Sequence, residues 1–235
     1  EDVRFERMLV NGGALILKFW FHLSKDKQKN RLKSLEKDPK TRWRVTERDW
    51  RHFKLYDRFH ETAERALRLT STEFAPWTVA DGSNAYYRAL AVGRQLLAAL
   101  QARLAQKGLP PVCVVAPPRP APDLELLRRL DMSHSLTKDK YQKQLEKQQG
   151  RLNGLTRHKR FKDMSVVAVF EGMDAAGKGS AIRRVTSALD ARQYEVFPIA
   201  APSEEERAQP YLWRFWRRLP RRGRIAIFDR SWYGR

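Results

Sequence analysis

Apolar residues cluster along the chain in a few short runs. Residues 14–23 (ALILKFWFHL), 166–170 (VVAVF) and 224–228 (RIAIF) have the length and composition of buried strands rather than helices. Lys18 and His22 interrupt the first of them. Residues 77–80 predict a short strand before an Asp81-Gly82 turn, and residues 194–200 predict another, with Pro198 marking an edge position. Helical spacing fills the gaps. A short helix over 4–10 closes at Asn11, Gly12 and Gly13. Ser24 can cap the next, which carries Gln28 and Leu32 inward and stops at Asp38-Pro39. Further helices are expected over 47–69, with Trp50, Phe53, Leu55 and Phe59 partly buried, and over 85–104. Others are expected over 131–160, with Leu136, Tyr141 and Leu145 inward, over 180–189, and over 204–219, with Tyr211, Trp213, Phe215 and Trp216. Strands alternating with helices predict an α/β fold with a parallel sheet. Residues 108–122 (GLPPVCVVAPPRPAP) read as a Pro-rich linker with one extended piece at 112–115.

Charge changes the picture. Lysine and arginine number 47 against 27 acids, a formal net charge of +20 over 235 residues. So basic a chain expects a polyanion: nucleic acid, an anionic membrane or polyphosphate. The single cysteine, Cys113, excludes an internal disulfide framework and suits a reducing compartment, so a cytoplasmic location is expected. No apolar run approaches the ~20 residues of a membrane span. The opening EDVRFERMLVNGG is too charged for a signal peptide and lacks an initial methionine, which hints at a piece of a longer protein.

The candidate chemistry sits where the second apolar run ends. Gly172, Met173, Asp174, Ala175, Ala176, Gly177 and Lys178 form G-x-x-x-x-G-K between a strand and a helix, the context a phosphate-binding loop requires. The glycines let successive backbone N–H groups face one anion, and the helix N-terminus adds its dipole. Where a metal-holding Ser or Thr usually follows the lysine, Gly179 stands, and Ser180 comes one place late. Another oxygen must then serve a metal, and Asp174 is the obvious candidate. Asp229 ends the 224–228 run, as carboxylates beside Mg²⁺ do in P-loop enzymes. The bland alternative is a Gly-rich strand–helix turn without ligand. His22 reads as a partly buried histidine rather than a catalytic one, since it lacks an orienting partner in the sequence. Residues 40–51 (KTRWRVTERDWR) allow two readings: a lid from which Lys33, Arg42 and Arg44 reach phosphates, or a solvated charged helical pair.

GMDAAGKG together with DRSWYGR (229–235) resembles the polyphosphate kinase 2 family, and the intervening 201–223 is similar to it as well. Residues 17–32, 37–50 and 70–77 also resemble that family, but the part of a domain that follows its DRSWYxR motif. The resemblance implies a P-loop kinase-like three-layer fold with about five parallel strands and a helical lid. Residues 1–107 would be the C-terminal half of one domain, 108–130 a linker, and 131–235 the N-terminal half of a second. Gly234 resembles the tandem-domain members, which transfer phosphate from polyphosphate to AMP.

On that resemblance, a terminal phosphoryl group moves in line from polyphosphate to AMP, giving ADP; a polyphosphate:ADP/GDP kinase is the alternative within the family. Asp174 and Asp229 would hold Mg²⁺, with Mn²⁺ able to replace it. Lys178 would bind the moving phosphate, while Arg230 and Arg235 clamp its neighbours. Gly172, Ala175, Ala176, Gly177, Gly179 and Ser180 would cradle phosphate, and Arg183 or Arg184 would face the polymer. The partners implied are polyphosphate and a nucleoside mono- or diphosphate, with a homo-oligomer in the intact protein and no membrane. Two other classes stay open: a basic nucleic-acid-binding module, disfavoured because no such motif is present, and an ATP-dependent P-loop kinase, disfavoured by the missing Ser/Thr. One further expectation is a single composite sheet in which residue 17 lies beside residue 168, with arginines of 42–51 overhanging the loop. Weak or no turnover is expected from this chain alone.

Overall fold

The structure, a computed structural model, describes residues 2–106 and 126–234. Most of the expected linker, its extended piece and Arg235 lie outside the described residues. The strands are β1 (Ala14–His22), β2 (Trp77–Asp81), β3 (Ser165–Gly172), β4 (Tyr194–Pro198) and β5 (Ile225–Asp229). They form one five-stranded sheet, in the order β2-β1-β3-β5-β4, with every pairing parallel. The β1–β3 register runs from Ala14 beside Ser165 to Phe21 beside Gly172, with Leu17 beside Ala168. The two sequence halves therefore share a sheet, and β4 lies at its edge as Pro198 predicts.

The central strand β3 is apolar throughout because both its faces are covered. Val166, Ala168 and Phe170 face one layer, with Phe19, Phe21, Ile225 and Ile227. That layer packs on α5 (Ala85–Ala105), α6 (Lys138–Thr156) and α7 (Lys178–Thr186), through Leu96, Leu100, Leu152, Ile182 and Val185. Val167 and Val169 face the other layer, built from Phe5 and Leu9 of α1 (Asp2–Asn11), Ile16, Phe215, Ala226, Phe228 and Trp232. Burial of each large side chain contributes about 1.5–3 kcal/mol, so the shared sheet is the dominant stabilising unit.

Lys18 does not interrupt β1. It is buried and donates to Glu6 Oε2 at 2.8 Å, the Thr70 carbonyl at 2.7 Å and the Tyr233 hydroxyl at 3.2 Å. Burial pushes Glu6 up and Lys18 down from their ordinary pKa values, and each offsets the other's shift. Ser24 caps α2 (Lys25–Lys37) as expected, accepting from the Lys27 N–H.

Three helical expectations need correction. The 47–69 helix is two, α3 (Glu47–Lys54) and α4 (Tyr56–Thr70), separated at Leu55 (φ −92°, ψ 11°), and Leu55 and Phe59 are exposed. The 204–219 helix reduces to two single turns, α8 (Glu204–Arg207) and α9 (Trp213–Trp216). Pro210 lies between them, and it cannot supply a helical N–H. The 131–160 helix contracts to α6 and a short 3₁₀ segment, Lys159–Asp163. No described helix is long and apolar enough to cross a membrane.

Candidate active site

In an open parallel sheet the crevice for ligands lies beyond the carboxyl ends of the strands. At that end β3 runs into the candidate loop. Gly172 has φ 136°, and a Cβ there would lie 2.2 Å from the Phe21 carbonyl oxygen, so no larger residue fits beside β1. Ala175 (φ 62°) and Gly177 (φ 93°) turn the chain into α7 through the left-handed region. The α7 N-cap is Gly177, without a side-chain cap. The first return bond into the helix comes from Ala181 N–H to the Gly177 carbonyl. The N–H groups of Lys178, Gly179 and Ser180 consequently have no intrahelical acceptor, which prepares the turn for an anion.

Lys178 is buried, and its ammonium donates to the carbonyls of Gly172 at 2.8 Å and Met173 at 3.0 Å. Burial lowers its pKa, opposed chiefly by Asp174. A third ammonium proton remains for a phosphate oxygen. Asp174 accepts from Arg230 Nη2 at 3.0 Å on one oxygen and meets His52 Nδ1 at 2.9 Å on the other. Burial pulls the Asp174 carboxyl upward, but the His52 hydrogen bond with Lys178 and Arg230 outweighs it and holds the group below its ordinary pKa. Asp229 closes β5 and contributes a charge felt by Lys178. Arg230 itself sits at φ 67°. This strained turn is held from both sides. Glu171, buried, accepts from Ser231 N–H at 2.6 Å and its hydroxyl at 2.9 Å. Glu6 Oε1 accepts from the Tyr233 hydroxyl at 2.6 Å and from Trp232 Nε1 at 3.3 Å.

Lys178, Asp174, Asp229, Arg230 and the loop residues thus come together. Others do not. Arg184 folds back onto the Tyr141 hydroxyl and Ser180 Oγ, both at 3.2 Å, so Ser180 is already engaged. Arg183 is exposed. Arg42 and Arg44 are exposed on a 3₁₀ turn, Arg44 lying 5.1 Å from the Trp43 ring. Neither makes a hydrogen bond to the loop, and the residue of 42–54 that contacts it is His52 of α3 rather than an arginine of 42–51. Space around Gly179 is open.

The first sequence half also contributes residues that the motifs did not reveal. Arg31 donates to the Gly82 and Ala175 carbonyls at 2.9 and 3.0 Å, and Gln28 donates to the Asp174 carbonyl at 3.2 Å. Arg88 lies against Gly177, where an added Cβ would fall 2.1 Å from its guanidinium carbon. Burial, with the Arg31 charge next, lowers the Arg88 pKa to about 10. Between loop and lid opens a cleft of about 290 Å³, walled by Leu55, Tyr56 and Phe59 on one side and by Glu171, Asp174 and Arg230 on the other.

Two carboxylates near adjacent strand ends, that of Asp229 without a side-chain hydrogen bond among the described residues, form a hard-oxygen donor set. It suits Mg²⁺, which takes one or two protein carboxylates and completes its shell with phosphate and water. No cluster of three or more His, Cys, Asp or Glu occurs among the described residues, so an all-protein metal cage is not what this set offers.

The family model described as Polyphosphate kinase 2 matches residues 1–108 and 135–235. A Polyphosphate:AMP phosphotransferase of Pseudomonas aeruginosa is 57% identical over 99% of this chain, covering 47% of its own length. One from Pseudomonas syringae pv. tomato is 54% identical over 99%, again covering 47%. One from Acinetobacter johnsonii is 35% identical over 98%, covering 45%. The chain spans about half the length of the curated relatives it matches.

Proposed function

Because the chain belongs to the polyphosphate kinase 2 family, we propose that it serves transfer of a terminal phosphoryl group from polyphosphate to AMP, giving ADP. The observation that carries this reading is the phosphate loop with Lys178, flanked by Asp174 and Asp229. AMP is favoured as acceptor because relatives at 57% and 54% identity bear that name.

Charge in such a transfer gathers on the peripheral oxygens of the moving group, so the protein's part is positioning and charge stabilisation. The N–H groups of Lys178, Gly179 and Ser180 and the Lys178 ammonium receive phosphate oxygens. Arg230 offers a planar fork from its Asp174-bound position. Asp174 and Asp229 would hold Mg²⁺, which would supply positive charge to neutralise phosphate oxygens. The apolar wall of Leu55, Tyr56 and Phe59 can receive a flat base. No covalent intermediate is called for. The element order, lid and last strand before phosphate loop, supports residues 1–107 as the end of one such domain and 131–235 as the start of the next, joined by 108–130.

The test is ADP formation by the full-length protein from polyphosphate, AMP and Mg²⁺. Production that disappears in Lys178→Ala is expected; polyphosphate binding without any ADP would overturn the reading.

A further inference from the structure

A second groove, of about 330 Å³, lies along β4 and β5 towards their amino ends, away from the phosphate loop. Arg217, Arg218, Arg221 and Arg224 line it, with Glu195 as its one acid. Residues 213–224 carry six arginines and no acid. Among the six, Arg214 is buried, with Glu206 at 3.1 Å. The Arg217 guanidinium lies 4.5 Å from the Trp213 ring and that of Arg218 lies 5.3 Å from the Phe197 ring, so aromatic faces set both. Their carboxylate contacts are long, 3.4 Å to Glu205 and 3.6 Å to Glu206. Arg221 and Arg224 engage no side-chain partner among the described residues. Like charges gathered without partners repel one another; a polyanion converts that repulsion into binding.

We infer that this groove holds the body of a long polyphosphate chain whose end lies at the phosphate loop. The inference rests on the reading that the protein takes polyphosphate. Planar guanidinium forks match bare phosphate oxygens in pairs, and a row of them suits a linear polymer. Strand β4 separates the two places by roughly 13 Å at ~3.3 Å per residue, so triphosphate at the loop leaves the groove untouched, whereas a long chain spans both. The groove thereby favours long donors over short ones without touching the reacting phosphate.

The experiment measures binding of long-chain polyphosphate and of inorganic triphosphate to the full chain, to Arg221→Gln/Arg224→Gln and to Arg221→Glu, all with unchanged thermal midpoints. At ~0.1 M salt the long chain should bind about tenfold or more weakly to the variants, and the slope of log affinity against log salt should fall by about two for the double variant. Triphosphate binding should not change. An unaltered long-chain affinity overturns the inference. Equal weakening of both ligands also overturns it, because the effect would then act at the loop. Single-stranded RNA of matched charge that displaces polyphosphate from the wild type but not from the variants overturns polyphosphate as the occupant. Long-chain binding that depends on these arginines, in a protein that never phosphorylates AMP, upholds the groove and rejects the transfer reading. A wild type that binds polyphosphate of no length rejects both.

Discussion

Residues 126–234 and residues 2–106 meet at one crevice but supply it with different things. The later half supplies backbone: a strand end, the positive-φ residues Gly172, Ala175 and Gly177, and a helix start whose N–H groups lack intrahelical acceptors. Its charged groups follow directly from the two strand ends. The earlier half supplies side chains from separate helices: Gln28 and Arg31 from α2, His52 from α3, Arg88 from α5. It also holds the far end of the turn after β5, through Glu6 and Lys18. The loop after β3 is thus a local object, fixed by neighbouring residues. Its walls are assembled by tertiary packing, and they exist only where β1 pairs with β3.

The largest effect should come from the later half's carboxylates. Asp174→Asn or Asp229→Asn should lower phosphoryl transfer by the full-length protein about 10³-fold or more, since several kcal/mol of charge stabilisation is lost. Unfolding free energy should shift by less than about 1 kcal/mol. Near-normal turnover by either variant at saturating Mg²⁺ would remove the metal assignment.

The seam between the halves comes next. Glu6→Ala strands the buried Lys18 ammonium and removes the acceptor of Tyr233 and Trp232, so urea unfolding should show a loss of about 3–5 kcal/mol. A loss below about 1 kcal/mol would mean that solvent reaches this pair.

Acid should loosen the earlier half. Burial, then the neighbouring His60, lowers the His22 pKa from 6.5 to about 4. The unfolded chain therefore binds the proton more readily between those values. His22 contributes its stability fully above pH 6.5 and loses it as pH falls towards 4, by about 3 kcal/mol in all. His22→Asn should flatten the stability–pH curve in that window; an unchanged slope would contradict the assignment.

His52→Ala should be mildest. Its ring is half exposed, and exposed pairs contribute about 0–1 kcal/mol, so melting should barely move while the Asp174 carboxyl rises towards its ordinary pKa, read by NMR titration. An unmoved Asp174 titration would show that His52 does not engage it.

What the sequence revealed follows the same division. The strands over 14–22, 166–170 and 225–228 were legible because both their faces are buried, which forces continuous apolar runs. The turn over 172–178 was legible because its positive-φ bends at Gly172 and Gly177 suit glycine. Pro198 announced the edge strand. By contrast, Leu55 carries no breaker signature, and the bend there is a local turn in which its N–H bonds to the His52 carbonyl. Pro210 was a visible breaker, but the aromatic spacing around it matched a helix that does not form. Arg31 and Arg88 lie roughly 90–145 residues from the loop in sequence, and nothing local in the chain distinguishes them from the many solvated arginines. Arg42 and Arg44 show the converse: they are charged and near the lid, but they turn to solvent.

The two halves fold as one sheet, with the loop after β3 walled by side chains of the earlier half. Amide hydrogen exchange of the full chain tests it most directly. Amides of β1 over 16–21 and of β3 over 166–170 should exchange with the same slow, globally limited rate, and Glu6→Ala should speed both together. Rapid exchange in β1 beside persistent protection in β3 would contradict it.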